Sequence, residues 1–199
     1  MYRKLMIALI GLTLLLAACA PAATPTPAPL VTEAPATLEP TLTEAPTPEP
    51  LNLIDGLGRT VELDSPAQRI VSLTPATTEI LFAVGAGAQV VGRDMFSDYP
   101  TEALAAADVG GSWGEYNTEA IVSLNPDLVL AGGINPPELV ASLESLGLKV
   151  YFLSNPNTLE ELYTNIEILG QMTGNESVAS DLIVTLDDRT KAVDSALAG

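Results

Sequence analysis

The stretch from Arg69 to Pro100 constrains the fold more than any other part of the sequence. Its pattern is strand, turn, helix, turn and strand, followed by an irregular loop that contains aromatic residues. The apolar run at residues 70–73 is typical of a buried strand. Pro75 suits the first turn of a helix, because a proline lacks the N–H group that would be unpaired there.

The rest of this stretch indicates where a ligand would bind. Gly85 and Gly87 end the predicted helix, and Val90 begins the second strand. Ligands of such a βαβ unit bind beyond the carboxyl ends of its strands. We therefore expect a binding site formed by residues 74–75 and by residues 93–100.

Strands and helices alternate over the rest of residues 51–174. A short helix is predicted at residues 101–107, and a flexible turn at residues 110–114 carries the one tryptophan of the chain. The later strands, at residues 128–131 and 149–153, are apolar on both faces, which is typical of a parallel sheet covered by helices. The sequence therefore predicts an α/β fold, a Rossmann-like lobe whose mainly parallel sheet is flanked by helices.

Residues 175–199 are predicted to form one long C-terminal helix. Apolar residues recur there at intervals of four or more, from Leu182 to Leu197. A helix of this length measures about 37 Å, which is more than one small lobe requires. We therefore expect it to leave the lobe rather than to complete it.

The N-terminus has the pattern of a lipoprotein signal. Two basic residues precede an apolar run at residues 5–16, which is too short to span a bilayer comfortably. The sequence LAAC, which ends at Cys19, resembles the bacterial lipobox, and a lone cysteine cannot form an intramolecular disulfide. We therefore predict a lipoprotein signal peptide at residues 1–18 and lipidation of Cys19. An ordinary secretory signal is the alternative.

Residues 19–50 are predicted to be a disordered tether. Proline, threonine, alanine and glutamate dominate this segment, with almost nothing to bury. Such a composition cannot offset the entropy that is lost on ordering. The tether would hold a folded domain away from a membrane, so we expect an extracytoplasmic protein of the cell envelope, anchored through Cys19.

Composition argues against several classes of function. The net charge is −17 and the sequence has no basic stripe, which makes nucleic acid a poor partner. Histidine is absent, there is no Gly-x-Ser-x-Gly motif, and lipidation accounts for the one cysteine, so the common hydrolase arrangements are missing. The sequence therefore indicates a binding protein rather than an enzyme, with no cofactor and no metal site.

Four short motifs follow one another across residues 55–129. They are DGLGRTV from Asp55, RIVSLTPATTE from Arg69, SDYP from Ser97 and NPDLV from Asn125. Each motif alone is weak, whereas four in this order and at these intervals are specific. In this order they resemble the cobalamin and iron-siderophore substrate-binding proteins of ABC importers.

This resemblance implies a bilobed fold in which one long helix joins two α/β lobes and the ligand lies in the cleft between them. Residues 51–174 match the N-terminal lobe and residues 175–199 match the connecting helix, so we expect the second lobe to be absent from this sequence. The implied function is that of a lipid-anchored, monomeric receptor. It would capture a metal chelate, namely cobalamin, a ferric siderophore or haem, and deliver it to an ABC permease in the membrane.

The resemblance also assigns roles to individual residues. Phe96 and Trp113 match aromatic residues of the cleft in cobalamin-binding members, and flat aromatic faces suit a large planar macrocycle. Those members have a further aromatic residue near the position of Gly132, where this chain has none. Arg93 either faces an anionic group of the ligand or forms a surface pair with Asp94 or Asp98. Tyr99 is a further ligand-binding candidate, with a structural role as the alternative.

Glu119 matches a glutamate that docks onto arginines of the permease. From the residues alone it is an ordinary acid in the first turn of a helix, where the helix dipole favours a negative charge.

Two alternative functions remain open. One is a receptor for a bare zinc or manganese ion, although such sites are usually built with histidines, which this chain lacks. The other is a surface lipoprotein without a transport function.

Overall fold

The structure, a computed structural model, describes residues 50–112 and 114–198. Within these ranges the strands are β1 (Leu51–Ile54), β2 (Thr60–Leu63), β3 (Ile70–Ser72), β4 (Val90–Arg93), β5 (Ala107–Asp108), β6 (Gly110–Ser112), β7 (Glu115–Tyr116), β8 (Leu128–Gly132) and β9 (Val150–Leu153). The α-helices are α1 (Pro75–Ala83), α2 (Thr118–Ser123), α3 (Pro137–Ser145), α4 (Leu159–Thr173) and α5 (Glu176–Leu197). The predicted signal peptide, and all but the last residue of the predicted tether, lie outside the described residues.

Five strands form a parallel sheet in the order β5-β4-β3-β8-β9. The central strand β3 pairs with β4 on one side and with β8 on the other, and β9 pairs with β8. Two antiparallel hairpins, β1–β2 and β6–β7, accompany the sheet. The mainly parallel sheet that the sequence predicts is confirmed.

Helices cover both faces of the sheet. Because successive residues of a strand point to opposite faces, each strand contributes side chains to the cores on both sides. On β8, Leu128 and Leu130 belong to a core with residues of α1, α4 and α5. Val129 and Ala131 belong to a second core with residues of α2 and α3. The lobe therefore has three layers, with the sheet in the middle, as an α/β fold requires.

Helix α1 forms where the sequence predicts it. Thr74 precedes the helix, and its side-chain oxygen accepts a 3.3 Å hydrogen bond from the backbone N–H of Thr77. Pro75 occupies the first turn, and Gly85 follows the helix with a φ of +85°, a conformation that glycine adopts readily. The helix begins beyond the carboxyl end of β3 and returns the chain to β4, as in a βαβ unit.

The β1–β2 hairpin covers the open edge of β9. The N–H of Gly56 donates a 2.8 Å hydrogen bond to the carbonyl oxygen of Phe152, and the Asp55 carboxylate accepts a 3.2 Å hydrogen bond from the Phe152 N–H. Arg59 forms an ion pair with Asp55. Burial of the Asp55 carboxyl raises its pKa, but hydrogen bonds from Arg59 and from neighbouring backbone N–H groups lower it more, so the pKa lies below its ordinary value. The turn thus occupies backbone groups that an edge strand would otherwise expose.

Helix α5 packs on α4 at its start and leaves the lobe further along. Ala179 is buried, and a Cβ added at Gly170 of α4 would lie 2.6 Å from the Cβ of Ala179. The apolar residues of α5 are half-buried at positions 182 and 186 and exposed at positions 193 and 197. The long C-terminal helix is therefore confirmed. In the described part of the chain, no helix combines the length and apolar character that crossing a membrane requires.

Two predictions are wrong in detail. The helix predicted at residues 101–107 is a 3₁₀ helix at Thr101–Ala105, and the residues after it form β5, which pairs in parallel with β4. The turn predicted at residues 110–114 contains β6, which pairs with β7. Strands of two or three residues are too short to show a periodicity in the sequence. Whether they form depends on their hydrogen bonds to neighbouring strands.

Candidate functional site

The carboxyl ends of the parallel strands lie together at one edge of the sheet, termed the carboxyl edge. The segments that follow β3, β4, β8 and β9 there are residues 73–75, 94–100, 133–136 and 154–157. In open α/β sheets ligands bind at this edge, where the strand order reverses. Here the order reverses at β3, because the chain continues to β4 on one side and later enters β8 on the other. The two segments that the sequence assigns to a ligand site both lie at this edge.

Asp94 fixes the loop that follows β4. Its side chain is buried, with the residue 1% exposed; one carboxylate oxygen accepts a 2.9 Å hydrogen bond from the Phe96 N–H and the other accepts one from the Ser97 hydroxyl. The Thr78 hydroxyl lies 2.9 Å from the Ser97 Oγ and 2.8 Å from the Ser72 Oγ. A buried carboxylate is costly unless hydrogen bonds satisfy its oxygens. This network therefore holds the loop against β3 and α1.

Four apolar side chains project from the carboxyl edge into solvent. Met95, Phe96 and Tyr99 follow β4 and are 41%, 57% and 67% exposed, and Ile134 follows β8 and is 66% exposed. These residues are termed the edge apolar group. Single exposed apolar residues are ordinary, whereas several at the carboxyl ends of parallel strands, where ligands bind in folds of this class, make this edge a candidate binding surface.

Arg93 is buried and is not exposed at the carboxyl edge. Its Nη1 donates a 2.9 Å hydrogen bond to the carbonyl oxygen of Asp94 and lies 3.9 Å from the Asp108 Oδ2. The sequence left open a contact with the ligand or a surface pair with Asp94 or Asp98. The predicted pair is wrong in its partner, because the carboxylate near Arg93 is that of Asp108, which the pairing of β5 with β4 brings there. A role for Arg93 in ligand binding stays a prediction.

A chain of hydrogen bonds joins the segments that follow β3 and β8. The Tyr116 hydroxyl donates a 2.9 Å hydrogen bond to the Leu73 carbonyl oxygen and accepts a 2.7 Å hydrogen bond from the Asn135 Nδ2. The Asn135 Oδ1 in turn accepts a 2.8 Å hydrogen bond from the Gly132 N–H. These four residues are termed the Tyr116 bridge. Burial raises the pKa of Tyr116, the hydrogen bond from Asn135 lowers it and the charge of Asp94 raises it, with a raised pKa as the net result.

Two glycines allow the segment after β8 to fit between its neighbours. A Cβ added at Gly132 would lie 2.9 Å from the Cγ2 of Thr74. One added at Gly133 would lie 2.6 Å from side-chain atoms of Asn155, which follows β9. Both distances are shorter than an ordinary carbon contact. The segments after β3, β8 and β9 therefore touch one another, and they form one continuous surface.

A small cavity of about 150 Å³ lies beside the carboxyl end of β9. It is lined mainly by polar residues, namely Ser154, Asn155, Pro156, Glu161, Thr164 and Asn165. Cavities of about 370 and 330 Å³ lie elsewhere, one beside β2 and one beside Phe82 of α1. Over residues 50–112 and 114–198, no cluster of three or more histidine, cysteine, aspartate or glutamate residues is arranged to hold a metal ion. The carboxyl edge thus combines exposed apolar residues with a small recess at one end.

The other predicted site residues are placed as follows. Glu119 is exposed in the first turn of α2, after Asn117, whose side chain accepts a hydrogen bond from the Ala120 N–H. Because α2 leads the chain from the carboxyl edge back to the start of β8, this first turn lies on the side of the carboxyl edge. Docking by Glu119 stays a prediction. Trp113 and Cys19, predicted to contact the ligand and to carry the lipid, lie outside the described residues.

The sequence reasoning missed Ile134, Tyr116 and Asn135. A signal existed for two of them, because the sequence Gly-Gly-Ile-Asn-Pro directly follows a buried strand, at the edge where ligands bind. No such signal marked Tyr116. Its hydrogen-bond partner Asn135 is 19 residues away, and only the fold brings the two side chains together.

The chain is similar in sequence to proteins that bind transported solutes. The profile of the family described as "Periplasmic binding protein" matches residues 70–199. The vitamin B12-binding protein of Vibrio cholerae is 41% identical over 114 residues, which are 57% of this chain and 41% of that protein. An ABC transporter substrate-binding lipoprotein of Bacillus subtilis is 31% identical over 147 residues, which are 72% of this chain and 46% of that protein. The chain therefore spans less than half the length of these relatives.

Solved structures have the same fold. The periplasmic vitamin B12 binding protein BtuF of Vibrio cholerae matches with a TM-score of 0.61 and 36% identity, covering 67% of this chain and 52% of that one. A periplasmic heme binding protein from Pseudomonas aeruginosa matches with a TM-score of 0.62 and 27% identity, covering 66% and 47%. Because the family profile matches more than half of the chain, the chain belongs to the periplasmic binding protein family. The resemblance carried by the four sequence motifs is thereby confirmed.

Proposed function

We propose that this chain belongs to the substrate-binding component of an ABC importer and that its carboxyl edge binds a metal chelate, namely cobalamin, haem or a ferric siderophore. The observation that carries the proposal is the edge apolar group. Its members are exposed, yet the loop that bears three of them is anchored by the buried Asp94. They lie at the end of a parallel sheet where ligands bind in folds of this class.

The chemistry of the edge apolar group suits a large, flat ligand. The ring of Phe96 offers an apolar face that a macrocycle can cover. Burying about 150 Å² of apolar surface would stabilise such a complex by roughly 4 kcal/mol, at about 25 cal/mol per Å². An ordered loop also loses little further entropy on binding. The names of the relatives, which mention vitamin B12 and heme, support this class of ligand.

The proposal extends to the partner and the location of the protein. Glu119 would supply a charged contact to the membrane permease, and Cys19 would carry the lipid that anchors a monomer to the cell envelope. The name of the relative in Bacillus subtilis, an ABC transporter substrate-binding lipoprotein, supports this class of partner and a lipid anchor. The function would be capture and delivery of the chelate, without a catalytic step.

Calorimetric titration of the chain tests the proposed ligand class. The probes are cyanocobalamin, haemin and ferrichrome, and zinc chloride is the control for the alternative of a bare-ion receptor. We expect saturable binding of one chelate and no saturable binding of zinc. Saturable binding of zinc without binding of any chelate, or no binding of any probe up to its solubility, would contradict the proposal.

A further inference from the structure

The side chain of Tyr116, a residue of β7, connects the β6–β7 hairpin with two segments of the carboxyl edge. Its hydroxyl contacts Leu73 after β3 and Asn135 after β8, through the two hydrogen bonds of the Tyr116 bridge. Its ring lies against Gly111 of the β6–β7 hairpin, where an added Cβ would be 3.0 Å from the tyrosine Cε1. The hairpin, the end of β3 and the segment after β8 are therefore joined through one residue.

The Tyr116 bridge contains a buried residue whose neighbour in the sequence is exposed. Asn135 is buried, and its neighbour Ile134 is a member of the edge apolar group. Both ends of the Asn135 amide are used, since Nδ2 donates to Tyr116 and Oδ1 accepts from Gly132. Leaving a buried amide or carbonyl unpaired is costly. The segment that carries Ile134 therefore has one strongly preferred arrangement.

We propose that Tyr116 is a positioning residue for ligand binding. Its hydroxyl holds the segment 133–136 and the β6–β7 hairpin in the arrangement that the ligand meets, so that neither has to be ordered when the ligand binds. This inference rests on the proposed function.

The chain contains a matched control for removal of this hydroxyl. The Tyr151 hydroxyl donates a 3.1 Å hydrogen bond to the carbonyl oxygen of Ile54. Burial likewise raises the pKa of Tyr151, and its side chain joins β9 to the β1–β2 hairpin rather than to the segments of the carboxyl edge. Tyr116→Phe and Tyr151→Phe each remove one such hydroxyl, but only the first removes the Tyr116 bridge.

The first measurement is amide hydrogen exchange in the full chain, without ligand. In Tyr116→Phe we expect the Gly132 and Asn135 amides, which bond to the Asn135 Oδ1 and to the Gly132 carbonyl, to exchange about tenfold faster than in the unmodified chain. In Tyr151→Phe we expect their rates to be unchanged. Equal rates in the two variants would overturn the proposal.

A second variant, Asn135→Ala, tests the Tyr116 bridge from its other side. Should Tyr116→Phe fail to fold, an affinity of Asn135→Ala equal to that of the unmodified chain would overturn the proposal. Asn135→Ala removes the other half of the bridge, and we expect the same loss of affinity for cyanocobalamin or haemin, about tenfold, as in Tyr116→Phe. Because the two residues share one bridge, the double variant should bind about as weakly as either single variant. If the losses of affinity of the two single variants multiply in the double variant, the two side chains act separately. That result would overturn the proposal.

The two measurements also distinguish this inference from the proposed function. If the unmodified chain binds no chelate, the proposed function fails, and hydrogen exchange alone decides whether Tyr116 positions the segment. If the unmodified chain binds a chelate and Tyr116→Phe binds it equally well despite faster exchange, the proposed function stands and the positioning role is overturned.

Discussion

The Asp94 carboxylate accepts a 2.9 Å hydrogen bond from the backbone N–H of Phe96, two residues further along the chain. Asp94 is buried, whereas the side chain of Phe96 projects into solvent. An exposed aromatic residue is thus held in place through its backbone by a buried neighbour. This arrangement gives the loop after β4 a defined shape while leaving the ring free to meet a ligand.

Replacement of Asp94 should loosen this loop and destabilise the fold. Asp94→Ala removes the acceptor of the Phe96 N–H and of the Ser97 hydroxyl, and hydrogen bonds to a charged group contribute about 1.5–3 kcal/mol each. We expect the free energy of unfolding, measured by urea denaturation, to fall by at least about 3 kcal/mol. The matched control is Asp98→Ala, which removes the same charge from an exposed position of the same loop and should cost less than about 0.5 kcal/mol. Equal losses in the two variants would show that Asp94 is not the anchor.

The sequence predicted the parts of the fold that local pattern controls. Helix α1 formed as expected because its capping threonine, first-turn proline and terminal glycine are all adjacent to it in sequence. Strand β8 was evident from a continuous apolar run. In contrast, β5 exists because Ala107 and Asp108 pair with Gly92 and Arg93, and no pattern of two residues could show this.

The candidate site could be predicted only in part. The segment that holds Phe96 and Tyr99 was identified, since the position beyond a strand of a βαβ unit is a local property. The partner of Arg93 was missed, because Asp108 reaches it only through the pairing of β5 with β4. The Tyr116 bridge was missed for the same reason, since it depends on the tertiary fold.

The contact between Gly132 and Thr74 should be testable by a compensating substitution. Gly132→Ala places a Cβ 2.9 Å from the Thr74 Cγ2, and overpacking of this kind costs about 1–3 kcal/mol. Thr74→Ser removes that methyl group but keeps the oxygen that accepts from the Thr77 N–H. In a thermal unfolding series we therefore expect Gly132→Ala to cost less in the Thr74→Ser background than in the unmodified chain. An equal cost in both backgrounds would show that another contact limits the size of residue 132.

Asp55 should make stability depend on pH. Its folded-state pKa lies below the ordinary value, so its contribution is fully present above the unfolded-state pKa, about 3.9, and is lost as the pH falls through the folded-state pKa. Asp55→Asn should therefore be less stable than the unmodified chain at pH 7, by about 2–3 kcal/mol, with the difference shrinking below about pH 4. Urea denaturation at several pH values measures this difference.

The control for Asp55 is Asp64→Asn, which removes a charge from an exposed position just beyond β2. We expect this variant to follow the unmodified chain closely at every pH. A stability difference for Asp55→Asn that stays constant from pH 7 to pH 3 would contradict a lowered pKa in the folded state.

Lipidation of Cys19 should decide where the protein is found. A diacylated cysteine anchors a protein stably, because two acyl chains bury far more apolar surface than one. We expect Cys19→Ser to move the protein from the membrane fraction of a bacterial host into the soluble extracytoplasmic fraction. Unchanged sedimentation with membranes would count against the anchor.

Two exposed apolar residues of the chain, one at the carboxyl edge and one far from it, test whether this edge is the ligand site. Phe96 belongs to the edge apolar group, whereas Leu146 is similarly exposed at the end of α3, beyond the opposite edge of the sheet. The measurement is the Kd for whichever chelate the titration identifies. We expect Phe96→Ala to raise the Kd at least about tenfold, since the ring loses its buried contact with the ligand, and Leu146→Ala to leave it within about twofold. If Phe96→Ala binds as tightly as the unmodified chain, or if both variants weaken binding equally, the carboxyl edge is not the ligand site.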